Sequence, residues 1–446
     1  MSLGKRGQER QEAIWIETAS LSRPDGHPFY ERLEGLLRKR GFDRFAEESC
    51  RSFYAAKTGR PGLPPGTYFR FLLLGYFEGL VSERGIAWRA ADSLALRRFL
   101  GYELTEPTPD HSTISRTRRL IDVETHRKVF GWVLQMLAEE GLLKGNTISI
   151  DGTTLEANAA LRSIVKRDSG ETYEEFLKGL AKESGIETPT REQLAKLDRK
   201  RPKKGSNDDW ENPHDPDARI TKMKDGRTHL AHKAEHAVDL ETGAIVAVAL
   251  HPADEGDTQT VSDTLCQAGE NICEVAAACP KTAVNPKGPA EAVLDKGYHS
   301  NETVLTLKQW KVRSYCSEPD RGRRRWIGKA EEQAAVYENR RRIRGERGKR
   351  LLRRRGELVE RGFAHMYETG AMRRTHLRRH PNIIKRLLIH AAAFNLGLVM
   401  RKLAGCGTPR GLQDSIRALI SVLELLVWVS GPGSPSALSS GMCSRR

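Results

Sequence analysis

The stretch that decides the fold is "EAVLDKGYHS", residues 291–300, read beside "NTISID", residues 146–151. Both are short apolar or β-branched runs that stop at an aspartate, Asp295 in one and Asp151 in the other. A small-residue turn follows each, Lys296-Gly297 and Gly152-Thr153. Runs of this length and composition read as buried strands. Aspartate suits a strand end because its short side chain bonds the local backbone in a turn. Two such carboxylates at one edge of a sheet would repel unless a cation lay between them. Punctuation and metal ligation are therefore both open for each aspartate taken alone.

Working outward, the segments around these strands alternate in kind. Residues 228–240 alternate apolar and polar, "ETG" (241–243) is a turn, and "AIVAVALHPA" (244–253) is β-prone, which together predict a hairpin. "GDTQTVSDTLCQAG" (256–269) predicts a helix opening at Asp257 or Thr258. "SNETVLTLKQWK" (300–311) predicts another, capped by Ser300 or Asn301, and "VRSYCSEP" (312–319) a further strand. A long helical region then runs to about residue 403, broken at Gly345, Gly348 and Gly356. A hairpin followed by strand–helix alternation implies a mixed sheet with helices laid on it. No internal repeat interrupts the order.

The amino-terminal part is different. Residues 26–144 read as helices: "FYERLEGLLRKRGF" (29–42), "TYFRFLLLGYFEGL" (67–80) and "IAWRAADSLALRRFLGY" (86–102). A helix capped by Asp110 or Ser112 follows. "GRPGLPPG" (59–66) is a loop, since its prolines and glycines stop a helix. Four parts are thus expected. They are a flexible 1–25, an all-α domain at 26–144, an α/β domain at 145–403 and a tail at 404–446 with one apolar helix near 418–429. A polar insertion at about 160–225 opens helically and continues as exposed loop.

Composition narrows the partner. The 446 residues carry 74 Lys and Arg against 58 Asp and Glu, a formal net charge of +16. That excess favours a polyanion, because basic groups release counterions from phosphates. Arginine concentrates in "RGRRRW" (321–326) and "NRRRIRGERGKRLLRRR" (339–355). Such blocks form a solvated face or a phosphate-tracking surface, and guanidinium grips phosphate in bidentate fashion. In "HSTISRTRRLI" (111–121), Ser112, Ser115, Arg116 and Arg119 share one helical face, as on a recognition helix or on the outside of a bundle. Seven scattered cysteines with no C-x-x-C pair exclude a zinc knuckle and point to a reducing, cytoplasmic setting. No segment reads as a membrane span. His229, His232 and His236 lie on the proposed hairpin, but alternation puts His229 on the opposite face from the other two, so a three-histidine zinc site is not expected. They read instead as core-edge or surface residues, with Lys233 and Glu235 on the His229 face. Trp88 and Trp132 read as helix core. Trp210, in the insertion, either stacks on an unpaired base or anchors its own loop.

Four segments, "SIDGTTLEANAA" (149–160), "HPADEGDTQT" (251–260), "VLDKGYHS" (293–300) and "GELVERGFAHMYETGAMRRTHLRRH" (356–380), together resemble the DDE transposases of bacterial insertion sequences. The likeness runs from about residue 24 to 403. It implies a ribonuclease H-like mixed sheet with flanking helices behind an all-α, helix-turn-helix-bearing domain. It also implies catalytic, metal-binding Asp151, Asp295 and Glu360, with Mg²⁺ or Mn²⁺ as cofactor. Glu357 and Glu346 are the alternatives to Glu360, because the residues that relatives set around the glutamate differ here: Arg353, Gly356 and Tyr367 stand at those offsets. The implied partner is DNA, both terminal inverted repeats and target, bound by a homodimer or larger assembly. Ser112, Ser115, Arg116, Arg119, Lys296, Arg340, Arg341, Arg344, Arg353 and Arg361 are the expected DNA contacts. The implied activity is cleavage at the element ends and strand transfer. A metal-dependent nuclease of the same fold and an inactive DNA-binding repressor are the alternatives.

Overall fold

The computed structural model describes residues 26–55, 61–201, 205–223, 226–320, 322 and 324–412. The expected flexible amino terminus and the apolar helix near 418–429 lie outside the described residues. Among the described residues, the first part is a helical bundle: α1 (Pro28–Lys39), α2 (Phe42–Cys50), α3 (Pro65–Phe77), α4 (Glu83–Asp92), α5 (Leu94–Phe99), α6 (His111–Leu120) and α7 (Val123–Glu139). The sequence punctuation explains the boundaries. Pro65 begins α3, where its missing N–H costs nothing. Asp110 caps α6 by accepting from the Ser112 and Thr113 amides, and Asp122 caps α7 through Thr125. The stretch expected as one helix at 86–102 is two, because the Ser93 hydroxyl caps a new start at the Leu96 amide.

The α/β part opens with β1 (Thr147–Glu156). The insertion follows, holding β2 (Val165–Lys166), α8 (Tyr173–Glu183), α9 (Arg191–Lys200) and β3 (Trp210–Glu211). Then come β4 (Arg219–Lys222), β5 (Thr228–Asp239), β6 (Ile245–Pro252), α10 (Asp257–Ala278), β7 (Glu291–Leu294), α11 (Asn301–Gln309) and β8 (Arg313–Cys316). The chain ends in α12 (Ala330–Arg344), α13 (Glu346–Phe363), a π-helical turn over Ala364–Thr369, and α14 (His380–Ala404). The predicted hairpin is β5–β6, antiparallel, with one register shift between Ala237 and Val238.

The sheet runs β4-β5-β1-β7-β8, with β6 also on β5. β1 pairs antiparallel with β5 but parallel with β7, and β7 parallel with β8. Leaving aside the short β4 beside it, the long hairpin thus lies on one side of β1 and the two crossover strands on the other. This mixed sheet with flanking helices fits a ribonuclease H-like core.

Two expectations need correcting here. The insertion is not mainly loop: its helices both carry capping boxes, at Thr172 and Thr190. It also has its own apolar cluster of Ala157, Ile164, Trp210, Ala218 and Leu230. Trp210 is buried there, its ring 5.2 Å from Tyr173 and 5.3 Å from Phe176, so it anchors its own segment. Second, the carboxy-terminal helices break at Gly345 and at the π turn, whereas Gly348 and Gly356 lie inside α13. The neighbours of those two glycines are strong helix formers, and a single glycine costs only about 1 kcal/mol.

One apolar core joins the bundle and the sheet, from Phe29 and Leu74 through Ile148 and Ala237 to Leu388 and Val399. α14 is its spine, packing on α7, α3 and β6. It is long and apolar enough to cross a membrane, but 94% of its most apolar window is buried within the protein, as in a core helix. Trp132 packs against that core, whereas Trp88, expected inside, is 68% exposed on α4, whose buried face is Ile86, Ala87 and Ala90.

Candidate active site

β1 and β7 are hydrogen-bonded neighbours, in register from Thr147 with Glu291 to Ile150 with Leu294. Asp151 and Asp295 are the next residue on each. Parallel neighbours lie about 4.8 Å apart, so the two aspartates leave the same end of the sheet side by side. β7 stops at Leu294 and Asp295 leads into a 3₁₀ turn, Lys296–Tyr298, which leaves Asp295 and Lys296 exposed. β1 continues, so Asp151 is held within a strand and is only partly exposed.

Asp151 sits in a crowded electrostatic setting. Burial raises its carboxyl above the usual range; the Arg355 guanidinium and the Gly152 amide oppose that, and Asp295 and Asp257 add to it. Arg355 reaches down from α13 to place its Nη2 2.8 Å from the Asp151 Oδ2. Asp257, in the first turn of α10, faces the turn after Asp295: a Cβ on Gly297 would lie 2.6 Å from its Oδ2. A side chain at 297 would push the Asp257 carboxylate aside.

Behind Asp257 lies a buried polar hub on β5. Lys233 Nζ sits 2.8 Å from Asp257 Oδ1 and 3.0 Å from Glu235 Oε1, and donates to Thr260 Oγ1 at 2.8 Å. Glu235 also accepts from the Thr260 and Thr264 hydroxyls at 2.5 and 2.6 Å, and from Tyr298 at 3.1 Å. Burial, then Glu235, Asp257 and Asp151, push the Tyr298 phenol well above its usual range, so it stays a donor. Glu235 is opposite Gly152 in the register, and a Cβ on Gly152 would lie 3.2 Å from the Tyr298 hydroxyl. The hub thus pins β5, α10 and the turn after Asp295 together beneath the two aspartates.

The other face of the sheet carries α13. His236, opposite Asp151 in the register, is buried against Phe363 and Tyr367, and hydrogen-bonds the Tyr367 hydroxyl. Burial lowers its pKa to about 3, so it is a neutral core residue. His232 is buried too, between Asp215 and His380 at 3.1 Å each. Both depart from the expected edge or surface position, while His229 lies across the sheet near Glu156 as the alternation requires.

Glu360 lies between Arg355 and Phe363 on α13, exposed, its side chain without a hydrogen bond or ion pair among the described residues. It stands five residues past Arg355, about 7.5 Å along the helix axis. Glu357 pairs with Arg361 at 2.9 Å on the solvent side, and Glu346, 90% exposed, pairs with Lys349. Glu346 is about 14 Å along the axis from Arg355. Among the described residues no group of three or more His, Cys, Asp or Glu is arranged to hold a metal. The two aspartates come together, then, whereas Glu360 is exposed on α13 and is not brought into a three-acid group with them.

The chain matches the family model "Transposase DDE domain" over residues 147–396, and "Transposase domain (DUF772)" over 19–120. The protein belongs to the DDE transposases. No curated protein and no solved structure matches it. Transposases of this kind bind DNA and generally depend on a divalent metal.

The expected DNA contacts divide by environment. Arg116 and Arg119 are exposed on α6, Arg116 donating to Ser112 Oγ at 3.1 Å. Ser115 instead accepts from Arg118, which is buried and ion-paired to Glu83 at 2.7 Å. Arg341, Arg344 and Arg353 are exposed, as is Arg361 in its pair with Glu357. Arg340 is engaged inside the chain, bidentate on Glu318 at 2.6 and 2.8 Å. Sequence reasoning singled out neither Arg355 nor Asp257 as part of the site. The placement of Lys233 and Glu235 on one strand face was the available signal for the hub, and Asp257 lay inside a segment already marked by its likeness to the family.

Proposed function

We propose that this transposase cleaves DNA at the ends of its element and joins the freed 3′-hydroxyl to a target strand. The observation that carries the reading is the parallel pairing of β1 and β7, in register up to Ile150 and Leu294, which sets the next residues, Asp151 and Asp295, side by side. The donor set suits a hard divalent cation: carboxylate oxygens, one of them partly buried, crowded by a third acid and balanced by a guanidinium. Asp151 and Asp295 would hold Mg²⁺ or Mn²⁺, and Glu360 would complete the set from α13. When bound, the ion supplies Lewis-acid activation of the phosphodiester.

The chain's own residues do the rest. Tyr298, Glu235 and Lys233 tie Asp257 and the turn after Asp295 to β5 beneath the two aspartates. The exposed arginines of α12 and α13, Arg341, Arg344 and Arg353, with Lys296 and Arg361, track the phosphate backbone. Arg116 and Arg119 on α6 add a second basic surface on the bundle, the proposed binder of the terminal repeats. Residues 26–144 would thus position DNA and 145–403 carry the chemistry, with two or more chains pairing the ends in the cytoplasm.

The test is a strand-transfer assay with an end-bearing duplex, supercoiled target and Mg²⁺. Joined product that disappears in Asp295→Asn, with DNA binding retained, supports the reading. Cutting without joining marks a nuclease, and binding without cutting marks a repressor.

A further inference from the structure

Arg355 is an unusual neighbour for a catalytic carboxylate. Its side chain is 12% exposed, yet among the described residues its Nε and Nη2 find no hydrogen-bond acceptor in good alignment. What holds it is charge: Nη2 lies 2.8 Å from Asp151 Oδ2. A guanidinium buried with spare donors gives up solvation that one ion pair replaces only in part. It is placed where positive charge is needed, against a carboxylate crowded by Asp295 and Asp257. Other arginines nearby are satisfied differently, such as Arg340, bidentate on Glu318.

We propose that Arg355 is a positioning residue that stands in for the divalent cation at Asp151 and couples metal loading to DNA. The inference rests on the catalytic reading of Asp151. With Arg355 on Asp151, one ligand oxygen is occupied by a competing cation, and metal binds weakly. A DNA phosphate reaching Asp151 offers the spare N–H donors the bidentate acceptor that they lack. The guanidinium then turns from carboxylate to phosphate, and Asp151 is freed for the ion. Metal and DNA therefore favour each other's binding, with a coupling of about tenfold. The device limits metal-dependent cutting until a substrate is in place.

Mn²⁺ binding to the full chain, followed by the loss of the free-ion electron paramagnetic resonance signal, tests this with no turnover involved. The wild type should bind Mn²⁺ about tenfold more tightly when a cleavage-resistant phosphorothioate duplex carrying the element's end is present. Arg355→Gln should bind Mn²⁺ about tenfold more tightly than wild type without DNA, and gain little from adding it. Arg355→Lys keeps the charge and should behave as wild type without DNA, which separates loss of the cation from loss of the fold; thermal melts of each variant check the latter. Equal Mn²⁺ affinity in wild type and a folded Arg355→Gln overturns the proposal. Asp151→Asn is the separate control: if it leaves Mn²⁺ binding intact, the catalytic reading fails first.

Discussion

The strand-borne and helix-borne halves of the candidate active site are built to different tolerances. Asp151 and Asp295 are placed by backbone hydrogen bonds between β1 and β7, so their separation follows from strand register. A one-residue slip would send either side chain to the opposite face of the sheet. Glu360 rides on α13, which side chains hold to the sheet: the Arg355 and Arg347 ion pairs, Leu351 in a cluster with Val293 and Tyr315, and Phe363 against His236. A helix held by side chains shifts at less cost than a strand held in a ladder. In the proposed site the strand-fixed pair thus receives its third partner from a helix held to the sheet by side chains alone.

The comparison breaks most visibly at its rigid side. Asp151→Asn and Asp295→Asn should each lower strand cleavage by at least about a thousandfold, since several kcal/mol of charge stabilisation are lost. Gel-shift affinity for the element's end should change little. Glu360→Gln should approach that loss in the same cleavage assay, while Glu357→Gln, which removes only an exposed pair with Arg361, should stay within about twofold of wild type. Equal losses for the two glutamates would place the helix in a different rotation about its axis.

Stability sharpens the contrast between the sheet and the insertion. Trp210→Ala should cost the insertion's small core about 3–5 kcal/mol. The loss should be local: amide exchange should rise across α8 and α9 while β1, β5 and β7 stay protected. A smaller effect is expected from pH. His126 and His236 both have pKa values lowered by burial to about 3. The unfolded chain binds these protons near pH 6.5, so the contribution is fully present above that pH and is lost as pH falls towards 3. The slope is about 1.4 kcal/mol per pH unit for each histidine. Urea midpoints measured from pH 7 to pH 4 should fall accordingly, and less steeply in His236→Gln.

Much of the candidate site's framework was legible because its signals are local. "NTISID" and "AVLD" announce strands, and the sheet places them as neighbours, although β1 runs on to Glu156 where the sequence pattern ended it at Asp151. The hairpin and the caps at Ser300 and Asp110 follow from turn chemistry and side-chain reach. The rest depended on tertiary distance. Nothing in the run "RRRGELVER" distinguishes Arg355, which turns in, from Arg353, which turns out; only the docking angle of α13 decides that. The inward burial of His232 and His236 required α13 and α14 to cover that face of the sheet. Trp88 fails for the opposite reason: an apolar ring in a helical pattern implied a covering partner, and among the described residues it stands 68% exposed. The insertion's folded core was hidden by its charge, since capped amphipathic helices can carry many lysines and glutamates outside.

α14 leaves its mark on inheritance. Because the spine shared by bundle and sheet is made last, from residues 380–404, a frameshift or early stop anywhere upstream deprives both parts of their common interior. A chain cut short of α14 would therefore lose the interior of both parts at once, and no shortened copy would keep one part folded without the other.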